Sequence, residues 1–246
     1  MKLLDGLFFY EIVLLVLGVV LFVVLVIALL RLVFQGKPFG GLLAFFALPV
    51  AMIGYPSIKS IEIDKDTIKI EKLTQSLRDD PTSPATRDDL KKAVTNAAAR
   101  PITDARRVVV LASAQFALGD EKVATANLQK AARADPAAPG VADLQNRIAV
   151  VRNLDRLATD AEANPNDPKV VAELSGALSE ATKHKFADPK ALTAIARAQV
   201  AVGDHTRALE NVNHALAIDP TSQVASSVKS RITATEPRPA PSLIAK

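Results

Sequence analysis

The feature that most constrains this chain of 246 residues is an uncharged apolar run near its N-terminus. Residues 12–30 (IVLLVLGVVLFVVLVIALL) carry no charge, and the apolar stretch continues to Phe34. Such a run of about nineteen to twenty-three residues, rising 1.5 Å each, crosses a hydrocarbon core about 30 Å thick. A cleaved signal peptide fits poorly, because the run is too long, Asp5 and Glu11 precede it, and no A-x-A site follows. We therefore predict an uncleaved membrane span.

A second apolar run, residues 40–55 (GGLLAFFALPVAMIGY), is shorter and contains Pro49. Alone it could be re-entrant or interfacial. After the short loop 31–39, the simplest arrangement is a transmembrane helical hairpin, with spans at about 10–34 and 40–56. Pro49 would kink the second helix, with the freed carbonyl groups satisfied by the first helix.

The orientation of the hairpin rests on its flanking basic residues. The loop between the spans carries Arg31 and Lys37, whereas four lysines follow the second span: Lys59, Lys65, Lys69 and Lys72. This excess of basic residues favours a cytoplasmic C-terminal domain. Lysines that belong to a folded, translocated domain would not determine the orientation. The expected location is a bacterial inner membrane. Glu11 is interpreted as an interfacial residue reached by water, with a partner contact inside the bilayer as the alternative.

The remainder of the chain is rich in alanine and evenly charged. From Tyr55 onward there are about 27 Lys and Arg against 24 Asp and Glu, interspersed, which indicates a solvated surface rather than a nucleic-acid-binding face. The chain has no Cys, which excludes disulfides, thiolate zinc sites and cysteine nucleophiles.

This second part contains an internal repeat. Residues 70–148 align with 154–232 at a constant offset of 84, without gaps and with about twenty identities. The clearest match places residues 112–120 (ASAQFALGD) over 196–204 (ARAQVAVGD). The identities cluster at Gly, Pro and small residues, so we interpret the repeat as a tandem duplication.

Each unit of the duplication contains one helical hairpin that can be assigned from its residues. Gly119 and Gly203 supply the permissive backbone that ends the first helix of the hairpin. The next residue in each unit is an Asp suited to cap the return helix, and a proline stops that helix near its end. The remaining helices follow from periodicity and breakers. They are Asp66–Asp80, Thr86–Ala99, Asp104–Leu118, Glu121–Ala134, Val141–Ala163, Pro168–Lys183, Pro189–Val202, His205–Ile218 and Ser222–Ile232.

These hairpins resemble tetratricopeptide (TPR) repeats. The windows Ala105–Pro136 and Pro189–Pro220 carry the small residues, the turn glycine and the closing proline of the 34-residue consensus. They lack its aromatic residues: Gln115 and Gln199, for example, stand where the family has an aromatic side chain. The resemblance implies an all-α fold in which the transmembrane hairpin precedes a TPR-like α-solenoid built from the 84-residue duplication.

The predicted organisation has five parts. They are a membrane anchor (1–56), a connector (57–65), a first TPR-like unit (66–149), a second (150–233) and a disordered, proline-rich tail (234–246). The connector is expected to be irregular or helical, although its partial alternation would also suit a short strand.

Little in the sequence points to catalysis. His184, His205 and His214 lack metal-ligand spacing, and no glycine-rich phosphate loop is present. Acidic pairs near helix ends are better explained as caps or solvated charges than as acid–base catalysts. We predict no enzymatic activity, no catalytic residue, no cofactor and no metal.

The resemblance does imply a partner-binding groove lined by the first helix of each hairpin. The positions that would face it are Arg106, Val109, Ser113 and Phe116 in the first unit and Lys190, Thr193, Arg197 and Val200 in the second. The alternative is that these residues face solvent on a structural spacer. The Lys/Asn pattern with which some TPR domains clamp a terminal carboxylate is missing.

Three functions follow from these features. The leading one is a membrane-anchored scaffold or adaptor that binds other proteins in a membrane complex. A second is an assembly chaperone, since two N-terminal spans followed by TPRs are similar in layout to the TPR subunit of bacterial cytochrome c maturation, which has a longer loop between its spans. A third makes the hairpin the active part, in an accessory subunit of a channel, transporter or motor. Expected partners are proteins and the lipid bilayer, not nucleic acid, and homo-oligomerisation stays open.

Overall fold

The structure is a computed structural model that describes residues 7–36, 40–165 and 167–235. Within these ranges the regular secondary structure is entirely helical, which confirms the predicted all-α class. The predicted disordered tail lies outside the described residues, apart from its first two positions, which belong to the last helix.

Two long apolar helices pack against each other at the N-terminal end. Helix α1 spans Phe9–Phe34; a short α2 (Gly40–Leu43) and a single 3-10 turn (Ala44–Phe46) lead into α3, Ala47–Asp79. A Cβ atom on Gly18 of α1 would lie 2.9 Å from the Cβ atom of Met52, so the absent side chain permits close approach of the two helices. Both α1 and the segment that contains α3 are long and apolar enough to cross a membrane.

Helix α3 continues without interruption through the expected connector. The helix predicted to begin at Asp66 is therefore the last part of a 33-residue helix, and the strand alternative for residues 57–65 was wrong. The boundary expected at residue 56 falls inside α3, and the one expected between residues 149 and 150 falls inside α7 (Val141–Ala163).

Helix α3 contains two prolines, Pro49 and Pro56. Pro49 is the third residue of α3 and follows the 3-10 turn Ala44–Phe46 directly. The kink expected at Pro49 stays a prediction. Pro56, which the sequence analysis did not single out, is the proline inside the helix. It is buried, and its ring removes the bond to the carbonyl of Met52.

The remaining helices form antiparallel neighbours joined by short turns. The hairpin of α5 with α6 and the hairpin of α9 with α10 pack most closely, and α7 packs on both α8 and α9. One hydrophobic core extends from α3 to α9, and a smaller one joins α9, α10 and α11. The bounds are α4 Pro84–Ala98, α5 Ala105–Ala117, α6 Glu121–Ala134, α7 Val141–Ala163, α8 Pro168–Ala181, α9 Pro189–Ala201, α10 His205–Ile218 and α11 Gln223–Thr235.

Several helix ends recur 84 residues apart. Helices α5 and α9 have the same length at that offset, as do α6 and α10, and α3 and α7 end at equivalent positions, Asp79 and Ala163. The turn glycines Gly119 and Gly203 have φ angles of +94° and +85°, in the left-handed region that glycine adopts readily. Both turns contain the same backbone hydrogen bond. In each, the N–H of the Asp after the glycine donates to the backbone carbonyl of the glutamine five residues before that Asp.

Candidate partner-binding clefts

Two open clefts lie along the helical part, one against α5 and one against α9. The first cleft has a volume of about 760 Å³ and lies between α5, the second half of α3 and the start of α7. The second has a volume of about 510 Å³ and lies between α9, α7 and the turns that follow α5 and α10. The predicted groove residues that line a cleft are thus divided between two separate clefts rather than aligned along one groove.

Six of the eight predicted residues line these clefts. Arg106, Val109 and Ser113 line the first cleft, and Lys190, Thr193 and Arg197 line the second. These are the same three positions of the 84-residue offset, so the first helix of each hairpin presents the same face to its cleft. The arginine and lysine at the first of these positions are exposed, whereas Val109 and Thr193 are buried at the base.

Phe116 and Val200 do not line either of the two large clefts. Phe116 is 3% exposed and packs edge to face on Phe186, with ring centroids 6.5 Å apart. Phe186 belongs to the loop between α8 and α9, which therefore covers the place where a groove surface was expected. Val200 is partly buried against the small core of α9, α10 and α11.

The loop that carries Phe186 is held by polar contacts as well. The Arg87 guanidinium donates to the carbonyl of Ala187 at 2.7 Å, and Lys185 forms an ion pair of 2.7 Å with Asp79. Asp188, at the end of the loop, caps α9 by accepting from the backbone N–H groups of Lys190 and Ala191. Burial raises the pKa of the Asp188 carboxyl in spite of these bonds.

The first cleft contains an arginine without a carboxylate partner. Arg78, on α3, is partly buried and donates to the Ser113 hydroxyl at 2.6 Å. No carboxylate of the described residues forms an ion pair with it. Burial and the neighbouring Arg147 lower the pKa of Arg78 to about 10, so the side chain is still charged at neutral pH. Arg147 itself pairs with Asp143 at 2.8 Å.

Both arginines that line the second cleft are paired with carboxylates of the chain. Arg197 forms ion pairs of 2.6 Å with both Asp155 and Glu162, and Arg231 adds a third contact to Glu162 at 2.7 Å. The hydrogen bond from Arg197 is the main reason why the pKa of Glu162 is lowered. Arg152, at the other end, pairs with Glu121 at 2.6 Å.

The two units differ at two pairs of equivalent positions that lie at or beside the clefts. Ser113 corresponds to Arg197, and Arg78 corresponds to Glu162. Arg78 and Glu162 were not predicted, because the predicted groove positions lie only on the first helix of each hairpin. The signal was present in the alignment at two separate positions, where Arg78 stands over Glu162 and Ser113 stands over Arg197.

Two other interpretations concern titratable residues away from the clefts. Glu11 is 2% exposed, and its carboxylate accepts from the backbone N–H of Phe8 at 2.8 Å, so it caps the start of α1. Within the residues that the structure describes, no group of three or more His, Asp or Glu side chains is placed to hold a metal ion. His184 approaches Asn146 and the ring of Phe186, and His205 begins α10.

Comparisons with protein-family models, with curated proteins and with solved structures found no match.

Proposed function

We propose that this protein is a membrane-anchored, TPR-like scaffold or adaptor that binds partner proteins close to a membrane surface. The observation that carries the proposal is the pair of clefts at equivalent positions, on a chain whose α3 runs from the apolar hairpin to the first cleft. Open clefts with both apolar and charged walls suit protein segments, since the apolar part gives affinity and the charges give specificity.

The helix bounds support the TPR-like part of the proposal. Equal lengths of α5 and α9, and of α6 and α10, agree with a tandem duplication of 84 residues. Buried glutamines also occupy equivalent places. Gln115 accepts from the Asn127 amide at 2.7 Å, and Gln199 accepts from Asn211 at 2.9 Å. This polar pair replaces the aromatic contact that TPR units usually have between the two helices of a hairpin.

The anchoring part of the proposal rests on α1 and the first part of α3. Valines, leucines and phenylalanines of α1 are exposed along its length, and such a surface requires a lipid or protein covering. In a hairpin, the N-terminal residues and the clefts lie on the same side of the membrane. The excess of lysines after the second span supports a cytoplasmic position in a bacterial inner membrane.

The proposal is tested by site-specific photo-crosslinking in native membranes. A benzophenone amino acid replaces Gln75 at the rim of the first cleft or Val224 at the rim of the second. Matched controls carry it at Gln129 or Asn213, which are exposed on α6 and α10 and line neither cleft. A further position, Leu17, reports on the exposed face of α1.

We expect crosslinks to a discrete partner from the cleft positions and none from the controls. A partner captured throughout growth indicates a scaffold, whereas capture limited to the period in which a complex is being assembled indicates an assembly chaperone. Crosslinks from Leu17 alone would overturn the proposal, because the hairpin would then make the decisive contacts, as in an accessory subunit. Equal crosslinking from the control positions would overturn it as well.

A further inference from the structure

The two clefts differ in the charge that they leave unpaired. The first is lined by three cationic side chains, Lys72, Arg78 and Arg106, and two acidic ones, Glu71 and Asp143. Asp143 is engaged by Arg147 from outside the lining, so the cations are in excess. None of these three cations forms an ion pair with any residue in the described part of the chain.

The second cleft has the opposite balance. Three cationic side chains line it together with four acidic ones, Glu121, Asp155, Asp188 and Asp219. Its arginines are already paired, so an incoming carboxylate would have to displace a carboxylate of the chain itself. The free-energy gain of such an exchange is small, whereas a carboxylate that enters the first cleft finds an arginine with unused donors.

Arg78 is the side chain on which this difference depends. A guanidinium carries five N–H donors. The structure shows one hydrogen bond from the Arg78 guanidinium, from Nη2 to the Ser113 hydroxyl. Partial burial removes water from the charge, and the nearby carboxylate, Asp143, is already paired with Arg147. A carboxylate from a partner would compensate the Arg78 charge through a charge-assisted bond. In the second unit the same place is filled by the Glu162–Arg197 pair of the chain itself.

We propose that the first cleft binds an acidic segment of a partner protein, with its carboxylates at Arg78, Arg106 and Lys72, and that the second cleft does not. This inference rests on the proposed function, of which it specifies the ligand. The cleft begins at Ile68, twelve residues beyond Pro56 on α3, or about 18 Å along the helix. The segment therefore belongs to the part of a membrane protein that lies next to the bilayer.

The test uses the full-length protein in nanodiscs of phosphatidylcholine and a fluorescein-labelled hexaglutamate peptide as the probe. Binding is followed by fluorescence anisotropy, with a hexaglutamine peptide as the control probe. We expect saturable binding of one hexaglutamate per chain, weaker as salt is raised, because the contacts are ionic. Arg106→Gln should weaken binding several-fold, whereas Lys190→Gln, at the equivalent position of the second cleft, should leave it unchanged.

A double variant separates loss of the site from loss of the fold. Arg78→Glu with Ser113→Arg copies the Glu162–Arg197 pair found at the equivalent positions of the second unit and supplies an ion pair in place of the unpaired arginine. We expect this variant to keep the thermal unfolding midpoint of the wild type. Its affinity for hexaglutamate should fall by at least about tenfold.

Three outcomes would overturn the inference. They are unchanged affinity in a folded Arg78→Glu/Ser113→Arg variant, equal effects of Arg106→Gln and Lys190→Gln, and loss of peptide binding when phosphatidylglycerol is added to the nanodisc. The last would assign the cleft to lipid headgroups. If hexaglutamate does not bind but crosslinks from Gln75 persist, this inference fails while the proposed scaffold function stands. If hexaglutamate binds but no crosslinks form, the charge preference of the first cleft stands and the proposed scaffold function fails.

Discussion

At the scale of single residues, the two turn glycines offer a matched comparison. Both have positive φ angles, so alanine at either position is strained by roughly 1 kcal/mol. They differ in their surroundings: a Cβ atom on Gly119 would lie 2.9 Å from a carboxylate oxygen of Asp188, whereas nothing lies within 4 Å at Gly203. Asp188 caps α9, so displacing it weakens a second helix.

We therefore expect Gly119→Ala to destabilise the protein more than Gly203→Ala. The expected losses are about 2 kcal/mol and about 1 kcal/mol in the free energy of unfolding. Denaturant unfolding of the detergent-solubilised protein, followed by circular dichroism, measures both. Equal losses would contradict the described position of the Asp188 loop over the turn of Gly119.

A second prediction at this scale concerns the pH dependence of stability at Glu162. Its pKa in the folded state is lowered from 4.5, mainly by the hydrogen bond from Arg197. The unfolded state therefore binds more protons near that pH, so the contribution of Glu162 is present above pH 4.5 and is lost as the pH falls through the folded pKa. We expect the stability difference between the wild type and Glu162→Gln to shrink below about pH 4.5. Melting curves between pH 3 and 7 measure it, and a difference independent of pH would refute the ion pair.

At the scale of helices, the sequence predicted most of the described structure. Breakers defined the ends of α6, α7 and α10, because proline, glycine and an N-terminal aspartate act locally on the backbone. The length of α3 was missed, since Pro49 suggested an interruption and the helical periodicity between residues 57 and 65 is weak. The sequence alone does not distinguish a proline that ends a helix from one that a helix tolerates. The difference depends on packing against the neighbouring helix.

The packing of α1 against α3 gives a prediction at the same scale. Gly18 lies where a Cβ atom would meet the side chains of Met52 and Ile53 at 2.9 and 3.0 Å, whereas Gly54 has open space around its Cβ position. We expect Gly18→Ala to separate the helices and lower the unfolding temperature in detergent. Gly54→Ala should leave that temperature unchanged or raise it slightly, because alanine favours the helix by about 1 kcal/mol. A decrease for Gly54→Ala alone would reverse the assignment of the two faces.

At the scale of the whole molecule, some features of the clefts could be predicted from the sequence and others could not. The resemblance to TPR repeats implied six of the cleft-lining residues, because it indicates which face the first helix of each hairpin presents. It did not predict that Phe186 covers Phe116, since this contact joins residues of the two units across a loop of irregular structure. Nor did it predict the difference in charge, which depends on pairs formed between helices rather than on composition.

The uninterrupted α3 leads to the last prediction, because it fixes the distance between the anchor and the first cleft. Val50 and Gln75 are both exposed on this helix, and the chain has no cysteine, so spin labels can be attached to both through introduced cysteines. Twenty-five residues at 1.5 Å each give about 37 Å for a straight helix. We expect pulsed electron paramagnetic resonance in nanodiscs to give one narrow distribution near that distance, and a broad one after insertion of Gly-Gly-Ser behind Ile61. A broad distribution in the uninterrupted chain would mean that residues 57–65 form a flexible connector, and the cleft would then not be held at a fixed height above the bilayer.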